Sequence, residues 1–455
     1  MFLLTLLLFS LVKITTCITI CDSECACRID NKLNVDYQGE FIDCSYRDAG
    51  ILKTNNTLPN TAYSLDLSSA NISIIDTSLL FQSTTLYELL LNNNKLRRID
   101  GNHFKLPNVK RLDLSYNQLE FIDKESFRDL KTLEYFNIAN NRFTTFDKLA
   151  FHHLSNLNEV ILNNNNLGAS LENNNLFDRS GFGLTQKIQI VSISGINLNK
   201  VPDNFFVDAY DIRKLIISNN NLTDVFEIPF TLQYLDLSDN PITEISTEDF
   251  TDLPGLNVLK LNNLWIEEVP DFVFEHLHSL TSLELERNKN LTQFSKLAFG
   301  KGVLEDPYDF TLHSFSLRNS RLTTLDKDLL DAFGQFTELD LQGNPWHCDC
   351  NLIWLKRLQL STNAYDHFRC ATPPSLYNAR IFDLKAKYFT CQKKHIGIIM
   401  GIVSFCIILA LVAVWMFVCV PKKHSRSSIL RNMWAPSAAY TVLPMTPNID
   451  SFNNT

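Results

Sequence analysis

Residues 86–96 read LYELLLNNNKL, and residues 109–119 read VKRLDLSYNQL. Both stretches place apolar residues at positions one, four, six and eleven and an asparagine at position nine. The sixth position marks each further copy of this pattern: Leu67, Leu91, Leu114, Ile138, Leu162, Ile193, Ile217, Leu237, Leu261, Leu285, Leu317 and Leu341. Most steps are 23 or 24 residues, one (before Leu237) is 20, and those before Ile193 and Leu317 are 31 and 32. About twelve copies in register predict a repeat array.

The pattern assigns a role to each position of the repeat. Apolar residues at positions four and six predict a short strand whose two side chains point into a solenoid, so their neighbours face solvent on a concave sheet. An asparagine amide both donates and accepts hydrogen bonds, so position nine is suited to pair backbone groups where the chain leaves the strand. Ala70, Ile196, Leu264 and Ser320 interrupt this predicted asparagine ladder. A row of phenylalanines is predicted to stack behind the sheet: Phe81, Phe104, Phe127, Phe151, Phe206, Phe250 and Phe274.

Composition excludes several classes of protein. The 455 residues are 45% hydrophobic and 20% charged, which is enough apolar side chain to bury a core and too much for a disordered chain. A net charge of −9 argues against a nucleic-acid partner. The sequence contains no H-E-x-x-H, G-x-S-x-G or P-loop motif, so we predict neither an enzyme nor a site for a small-molecule substrate or cofactor.

Two apolar runs indicate how the chain is targeted. Met1–Val12 is nearly all apolar and predicts a signal peptide over 1–17, although cleavage a few residues later also fits. Ile396–Val420 carries no charge and reaches roughly 37 Å as a helix, enough to cross a bilayer. A buried core helix is the alternative. The first interpretation predicts a single-pass type I protein of the plasma membrane.

If Cys17 is removed with the signal peptide 1–17, eight cysteines remain outside the predicted membrane helix, in two groups of four: Cys21, Cys25, Cys27 and Cys44, then Cys348, Cys350, Cys370 and Cys391. Behind a signal peptide an even number of clustered cysteines indicates disulfides, with a zinc site built from the C-x-C pairs as the alternative. Both groups flank the repeats, where a repeat array needs caps over its exposed ends.

The flank Cys21-x3-Cys25-x-Cys27-x16-Cys44 and the segment from Asn344 through Cys350 to Cys391 resemble the caps of extracellular leucine-rich-repeat proteins of animals with 24-residue repeats. The resemblance implies an α/β fold, a horseshoe solenoid of about twelve repeats. It also implies the pairs Cys21–Cys27, Cys25–Cys44, Cys348–Cys370 and Cys350–Cys391. The whole order resembles the repeats-only transmembrane group that includes connectin, tartan and capricious. The predicted segments are signal peptide 1–17, N-terminal cap 18–59, repeats 60–346, C-terminal cap 347–395, membrane helix 396–420 and cytoplasmic tail 421–455.

The middle of the predicted concave face is the candidate binding surface. Five apolar residues are expected there as a contiguous patch rimmed by charge: Ile161, Ile190, Ile216, Tyr234 and Val258. Such a patch favours an extracellular or cell-surface protein as partner, possibly a second copy of this chain. A plain preference of β-branched residues for strands is the alternative. The predicted function is adhesion or ligand reception, with a matrix organiser or an innate-immune co-receptor as alternatives.

Loops and modification motifs complete the predictions. The long steps insert residues 168–184 and 300–310, which either carry recognition or are neutral. Asn55, Asn71, Asn221 and Asn290 begin glycosylation sequons, and the last three are expected along one lateral edge. Asn453 also begins a sequon, but it falls in the cytoplasmic tail and is excluded. Tyr440 and Leu443 fit a Y-x-x-Φ endocytic motif, a pattern short enough to arise by chance.

Overall fold

The computed structural model describes residues 20–22, 24–29, 39–53, 56–149, 151–172, 176–177, 183–203, 205–358, 367–391 and 396–419. The predicted signal peptide 1–17, Asn55 and the tail residues Tyr440 and Leu443 lie outside these ranges. The chain divides into two units, Met1–Cys391 and Gln392–Thr455.

The first unit is built mainly from very short strands. In chain order they are β1 (Ala26–Ile29), β2 (Glu40–Asp43), β3 (Ala62–Asp66), β4 (Glu88–Leu90), β5 (Arg98–Ile99), β6 (Arg111–Asp113), β7 (Phe121–Ile122), β8 (Tyr135–Asn137), β9 (Glu159–Ile161), β10 (Ile190–Ser192), β11 (Lys214–Ile216), β12 (Tyr234–Asp236), β13 (Val258–Lys260), β14 (Glu268–Val269), β15 (Ser282–Glu284), β16 (Gln293–Phe294), β17 (Ser314–Ser316), β18 (Glu338–Asp340), β19 (Trp346–His347) and β20 (Cys370–Thr372).

Helices are short and lie between the strands. Among the described residues of this unit, the α-helices are α1 (Gly168–Leu171), α2 (Gly302–Glu305) and α3 (Leu330–Phe333). The 3₁₀ helices are Ile20–Asp22, Ala49–Lys53, Leu79–Phe81, Phe146–Lys148, Glu248–Phe250, Pro307–Asp309, Lys327–Leu329, Ile353–Arg357, Pro374–Leu376, Ile381–Asp383 and Ala386–Tyr388. The two long repeat steps therefore hold α1 in one case and α2 with a 3₁₀ turn in the other.

One sheet of 14 strands runs through the unit, in the order β1-β2-β3-β4-β6-β8-β9-β10-β11-β12-β13-β15-β17-β18. β1 pairs antiparallel with β2, and the strands that follow pair in parallel, one from each repeat. The central residue of each repeat strand is buried, as Leu89 and Leu112 are, except Leu339 of β18, which is half-buried. The sixth-position residue that follows each strand is buried as well. The predicted leucine-rich solenoid with its parallel sheet is confirmed.

A left-handed turn ends each strand. The residue just before the ladder position has a positive φ in every repeat: Ser69, Asn93, Tyr116, Asn140, Asn164, Gly195, Asn219, Asp239, Asn263, Arg287, Asn319 and Gly343. Asparagine and glycine tolerate this conformation best, which explains the recurring Asn-Asn pairs. At Gly195 an added Cβ would also lie 2.3 Å from Oδ1 of Asn164, so that side chain would have to move to admit it.

Asparagine side chains join successive turns from within. The Asn94 Oδ1 accepts hydrogen bonds from the backbone N–H groups of Ala70 and Ile72, both at 3.0 Å. Its Nδ2 donates to the carbonyl oxygens of Leu67 and Leu91, both at 2.9 Å. Where serine replaces asparagine, the Ser320 hydroxyl donates to the Leu285 carbonyl at 3.2 Å and performs part of this role. Each ladder amide thus pairs groups in two consecutive repeats.

Phenylalanine rings fill the space behind the sheet. Phe81 and Phe104 are fully buried, with ring centroids 5.5 Å apart, and Phe250 lies 6.0 Å from Phe274. Phe206 is an exception to the prediction. Phe205 is fully buried in its place, and Phe206 is only half-buried against it at 4.8 Å. Two adjacent phenylalanines in an irregular segment give the sequence no periodicity with which to choose between them.

Disulfides and aromatic residues close both ends of the core. The structure joins Cys21 to Cys27, Cys25 to Cys44, Cys348 to Cys370 and Cys350 to Cys391. At the far end Trp346 is fully buried and stacked on Phe368 at 5.5 Å, and its indole N–H donates to the Leu341 carbonyl. These residues cover the last strand's core side, as a cap must.

The described part of the second unit is one helix, α4 (Ile396–Cys419), which has no charged residue. Within the described residues no helix is long and apolar enough to cross a membrane. The transmembrane helix stays a prediction.

Candidate partner-binding face

The main sheet presents one open face, opposite the buried leucines, which the sequence predicts to be concave. Two rows of side chains cross it, one on each side of the central strand residue, and all are half-buried or exposed except the buried Ser64, Ser192 and Ser316. The first row is Ser64, Glu88, Arg111, Tyr135, Glu159, Ile190, Lys214, Tyr234, Val258, Ser282, Ser314 and Glu338. The second row is Asp66, Leu90, Asp113, Asn137, Ile161, Ser192, Ile216, Asp236, Lys260, Glu284, Ser316 and Asp340.

The five predicted binding residues all lie on this face, and each is half-buried: Ile161, Ile190, Ile216, Tyr234 and Val258. Strand register distributes them over both rows. Ile161 and Ile216 belong to the second row and the other three to the first.

The predicted contiguity of the patch is wrong. Lys214 lies in register between Ile190 and Tyr234, and Asp236 lies opposite Ile216. The physical reason is that the strand contributes two outward positions per repeat, and the sequence does not fill both with apolar residues. The result is a zigzag of apolar side chains in which Lys214 places its ammonium 4.6 Å from the centre of the Tyr234 ring. A partner therefore meets a mixed apolar and cationic surface.

A line of aromatic residues near the N-terminal end was not predicted. Tyr63 and Tyr87 stack with centroids 4.8 Å apart, and Phe41 lies 5.6 Å from Tyr63. Both tyrosines immediately precede the strand residues of the first row. Both occupy the second position of the repeat pattern. A comparison of that position across the repeats would have revealed the pair.

Ion pairs order the charged part of the face. The Lys260 ammonium lies 2.8 Å from Glu284, and Arg111 lies 3.2 Å from Glu88 with its guanidinium 3.9 Å from the Tyr135 ring. Burial is the largest single influence on Lys260 and opposes its charged form, but the hydrogen bond to Glu284 and the neighbouring negative charges together outweigh it and raise the pKa of the ammonium. Burial raises the pKa of the Tyr234 phenol. The Lys260 ammonium is therefore charged near neutral pH, and the Tyr234 phenol is neutral.

No group of three or more His, Cys, Asp or Glu side chains in the described part of the chain is arranged to hold a metal ion. His152 and His153 have ring centroids 5.4 Å apart on the exterior, and burial lowers the pKa of His152.

Three predicted glycosylation sites are visible, and Asn71, Asn221 and Asn290 are all exposed. None belongs to either row of the open face. The Asn221 amide donates to Asn199 Oδ1 at 3.3 Å, and that of Asn290 donates to the Trp265 carbonyl at 3.3 Å. Sugars at these positions would leave the two rows accessible.

Repeats of this spacing, stacked through one parallel sheet and an asparagine ladder, define a leucine-rich-repeat protein. The leucine rich repeat family model matches residues 84–143, 107–167, 211–263 and 230–289. The chain therefore contains leucine-rich repeats, as the sequence predicts.

Several characterised proteins are similar to this chain. Tsukushi of Gallus gallus is 28% identical over 261 residues, covering 56% of this chain and 67% of that protein. The leucine-rich repeat and fibronectin type III domain-containing protein 1-like protein of Danio rerio is 33% identical over 159 residues, covering 35% and 18%. Chaoptin of Tribolium castaneum is 26% identical over 296 residues, covering 60% and 35%. The chain thus spans about a third or less of the last two. The leucine-rich repeat domain of APL1B matches with a TM-score of 0.46 and 20% identity, covering 73% of this chain and 88% of that one.

Proposed function

We propose that this chain is a single-pass type I protein of the plasma membrane that acts as a receptor or adhesion molecule. Its partner is an extracellular or cell-surface protein, bound on the open face of the repeat sheet, and its architecture is of the repeats-only transmembrane kind. The observation that carries the proposal is the unbroken face from β3 to β18, which presents two outward side chains from every repeat. The regular spacing of the paired strands fixes the position of each outward side chain. No loop or helix is therefore needed to assemble the surface.

The disulfides support an extracellular location. Cys25–Cys44 and Cys350–Cys391 tie down the two ends of the core, and such bonds persist in oxidising compartments. A reducing cytosol would leave both ends held by packing alone.

The composition of α4 supports the membrane anchor. The 24 residues of α4 include no charged side chain, and apolar residues recur on every side of the helix. A helix that is apolar on every side suits lipid far better than water. Lys422 and Lys423 follow the apolar run, on the side that a cleaved signal peptide would leave in the cytoplasm.

The test uses the soluble ectodomain, residues 18–394, as a tagged multimer screened against cell-surface and matrix proteins, including itself. A hit is then tested with Ile216→Glu and Tyr234→Glu combined. Two carboxylates in the middle of the zigzag, beside Asp236, should weaken binding by about 30-fold or more, since centrally placed apolar anchors cost about 2 kcal/mol or more when lost. Secretion should be unchanged because neither side chain is in the core.

Trp265→Glu is the matched control, because Trp265 is 59% exposed and lies outside both rows. It should bind as the wild type does. Unchanged binding by a well-folded Ile216→Glu/Tyr234→Glu protein would sink the assignment of the face. Hits confined to matrix components would replace the receptor proposal with that of a matrix organiser, and a hit on a signalling receptor in the same membrane would favour the co-receptor alternative.

A further inference from the structure

The shortest repeat in the chain leaves a gap in the exterior opposite the open face. The step from Ile217 to Leu237 is 20 residues, against 23 or 24 in most others. The following repeat returns through the 3₁₀ helix Glu248–Phe250, whereas residues 222–229 form no helix or strand. The short segment 222–229 cannot fully cover the neighbouring repeat, and a notch results between the two repeats.

Apolar side chains line this notch and are exposed to solvent. Phe230 is 63% exposed, Val207 61% and Tyr210 57%. Phe226 and Phe206 are half-buried beside them, with ring centroids 5.7 Å apart. Their exposure contrasts with the fully buried phenylalanines of the full-length repeats. A contiguous cluster of this kind on a soluble surface marks an interaction site more often than a scattered single residue does.

Carboxylates surround the notch. Asp203, Glu227 and Asp252 line the same cavity as Phe206 and Phe230. None of the three has an ion-pair partner among the described residues. The sequence also contains no Lys, Arg or His from 215 to 259, so no base of that stretch neutralises them. Unpaired carboxylates next to apolar rings attract a ligand that carries positive charge beside apolar groups.

We propose that this notch is a second docking site, for a basic amphipathic segment of another protein. Aliphatic or aromatic side chains of that segment pack on Phe206, Phe226 and Phe230, and its Lys or Arg side chains pair with Glu227 and Asp252. The site is independent of the open face and is occupied while that face binds its own partner. A second copy of this chain is a poor occupant, because two molecules with a net charge of −9 repel each other.

The probe is a library of random dodecapeptides, selected on the purified full-length chain in a neutral detergent and counter-selected on Phe230→Glu. Peptides that distinguish the two proteins should carry Lys or Arg next to apolar residues. Each should lose about tenfold or more in affinity on Phe230→Glu, the effect of about 1.4 kcal/mol. Glu227→Lys should weaken the same peptides, and raised salt should weaken them further.

Two matched controls isolate the notch. Tyr308→Glu makes the same change at an aromatic residue that is 83% exposed elsewhere, and Glu305→Lys reverses an exposed charge elsewhere. Both should bind the selected peptides as the wild type does. The proposal is overturned if no peptide distinguishes wild type from Phe230→Glu, or if the peptides that do carry no excess of Lys and Arg. It is also overturned if the wild-type chain self-associates and Phe230→Glu abolishes that association, because the occupant would then be a second copy.

Discussion

Replacing Asn94 with alanine tests whether the asparagine ladder holds the repeats together. The Asn94 side chain is 6% exposed and makes hydrogen bonds to five backbone groups. Alanine would remove all five. The Leu91 carbonyl keeps a second donor, the Asn117 Nδ2 at 3.0 Å, so its loss is small. The N–H groups of Ala70 and Ile72 depend on Asn94, and both of those residues are fully buried.

The magnitude follows from those two N–H groups. An unpaired buried donor costs about 1–3 kcal/mol, so two of them set a range of about 2–6 kcal/mol. A water molecule can enter the space left by the deleted amide and pair partly with the two N–H groups. The expected loss in the free energy of unfolding is therefore about 3 kcal/mol. Urea unfolding of the ectodomain, followed by far-ultraviolet circular dichroism, measures it. Hydrogen exchange should localise the effect to the amides of Ala70 and Ile72.

Asn156→Ala is the control for this experiment. Asn156 is exposed and donates one hydrogen bond, 2.8 Å to the Lys131 carbonyl. Surface changes of this kind usually stay within about 0.5 kcal/mol. If Asn94→Ala and Asn156→Ala lower the free energy of unfolding equally, the ladder is not a stabilising element and its recurrence needs another explanation.

Two further predictions concern stability. In Gly168→Ala the new Cβ would lie 2.0 Å from the Asn197 carbonyl oxygen, so the backbone must move and we expect a loss of about 2 kcal/mol or more in urea unfolding. Gly302→Ala meets no atom within 4 Å and should be neutral or stabilising by up to about 1 kcal/mol, and equal losses would contradict the packing argument. Hydrogen bonds from the Ser45 hydroxyl and N–H lower the pKa of Asp43 below its ordinary 3.8. The pKa of Asp43 is lower in the folded than in the unfolded chain. Ionised Asp43 therefore stabilises the fold above its unfolded-state pKa, and this stabilisation disappears as the pH falls through the folded-state pKa. Asp43→Asn should therefore be less stable than wild type at about pH 6 and similar at about pH 2, whereas a constant difference would refute the assignment.

The sequence predicted the sheet well because the repeat pattern encodes it directly. Each buried strand residue and each ladder asparagine lies a fixed number of residues from the sixth-position residue. The strand register of one repeat therefore predicts that of all twelve. The segments that lead from one strand behind the sheet to the next strand have no such fixed spacing. For that reason the prediction that Phe206 belongs to the buried phenylalanine row was wrong. The candidate binding face shows an intermediate case. All five apolar residues were placed on it, but their arrangement depends on which of two outward rows each occupies, and Lys214 and Asp236 interrupt the patch.

The exterior of the irregular 20-residue repeat points to function in a way that the exteriors of the regular repeats do not. A regular repeat must bury its phenylalanine and satisfy its turn, so its exterior is determined by packing. The 20-residue repeat leaves Phe226 half-buried and Phe230 exposed, yet its strand pairs in register with both neighbours. Stability does not require those exposed rings, because the sheet and the ladder asparagine Asn240 are intact there. Exposed apolar side chains that packing does not require are costly to keep in water, and their retention beside unpaired carboxylates is best explained by a partner that covers them.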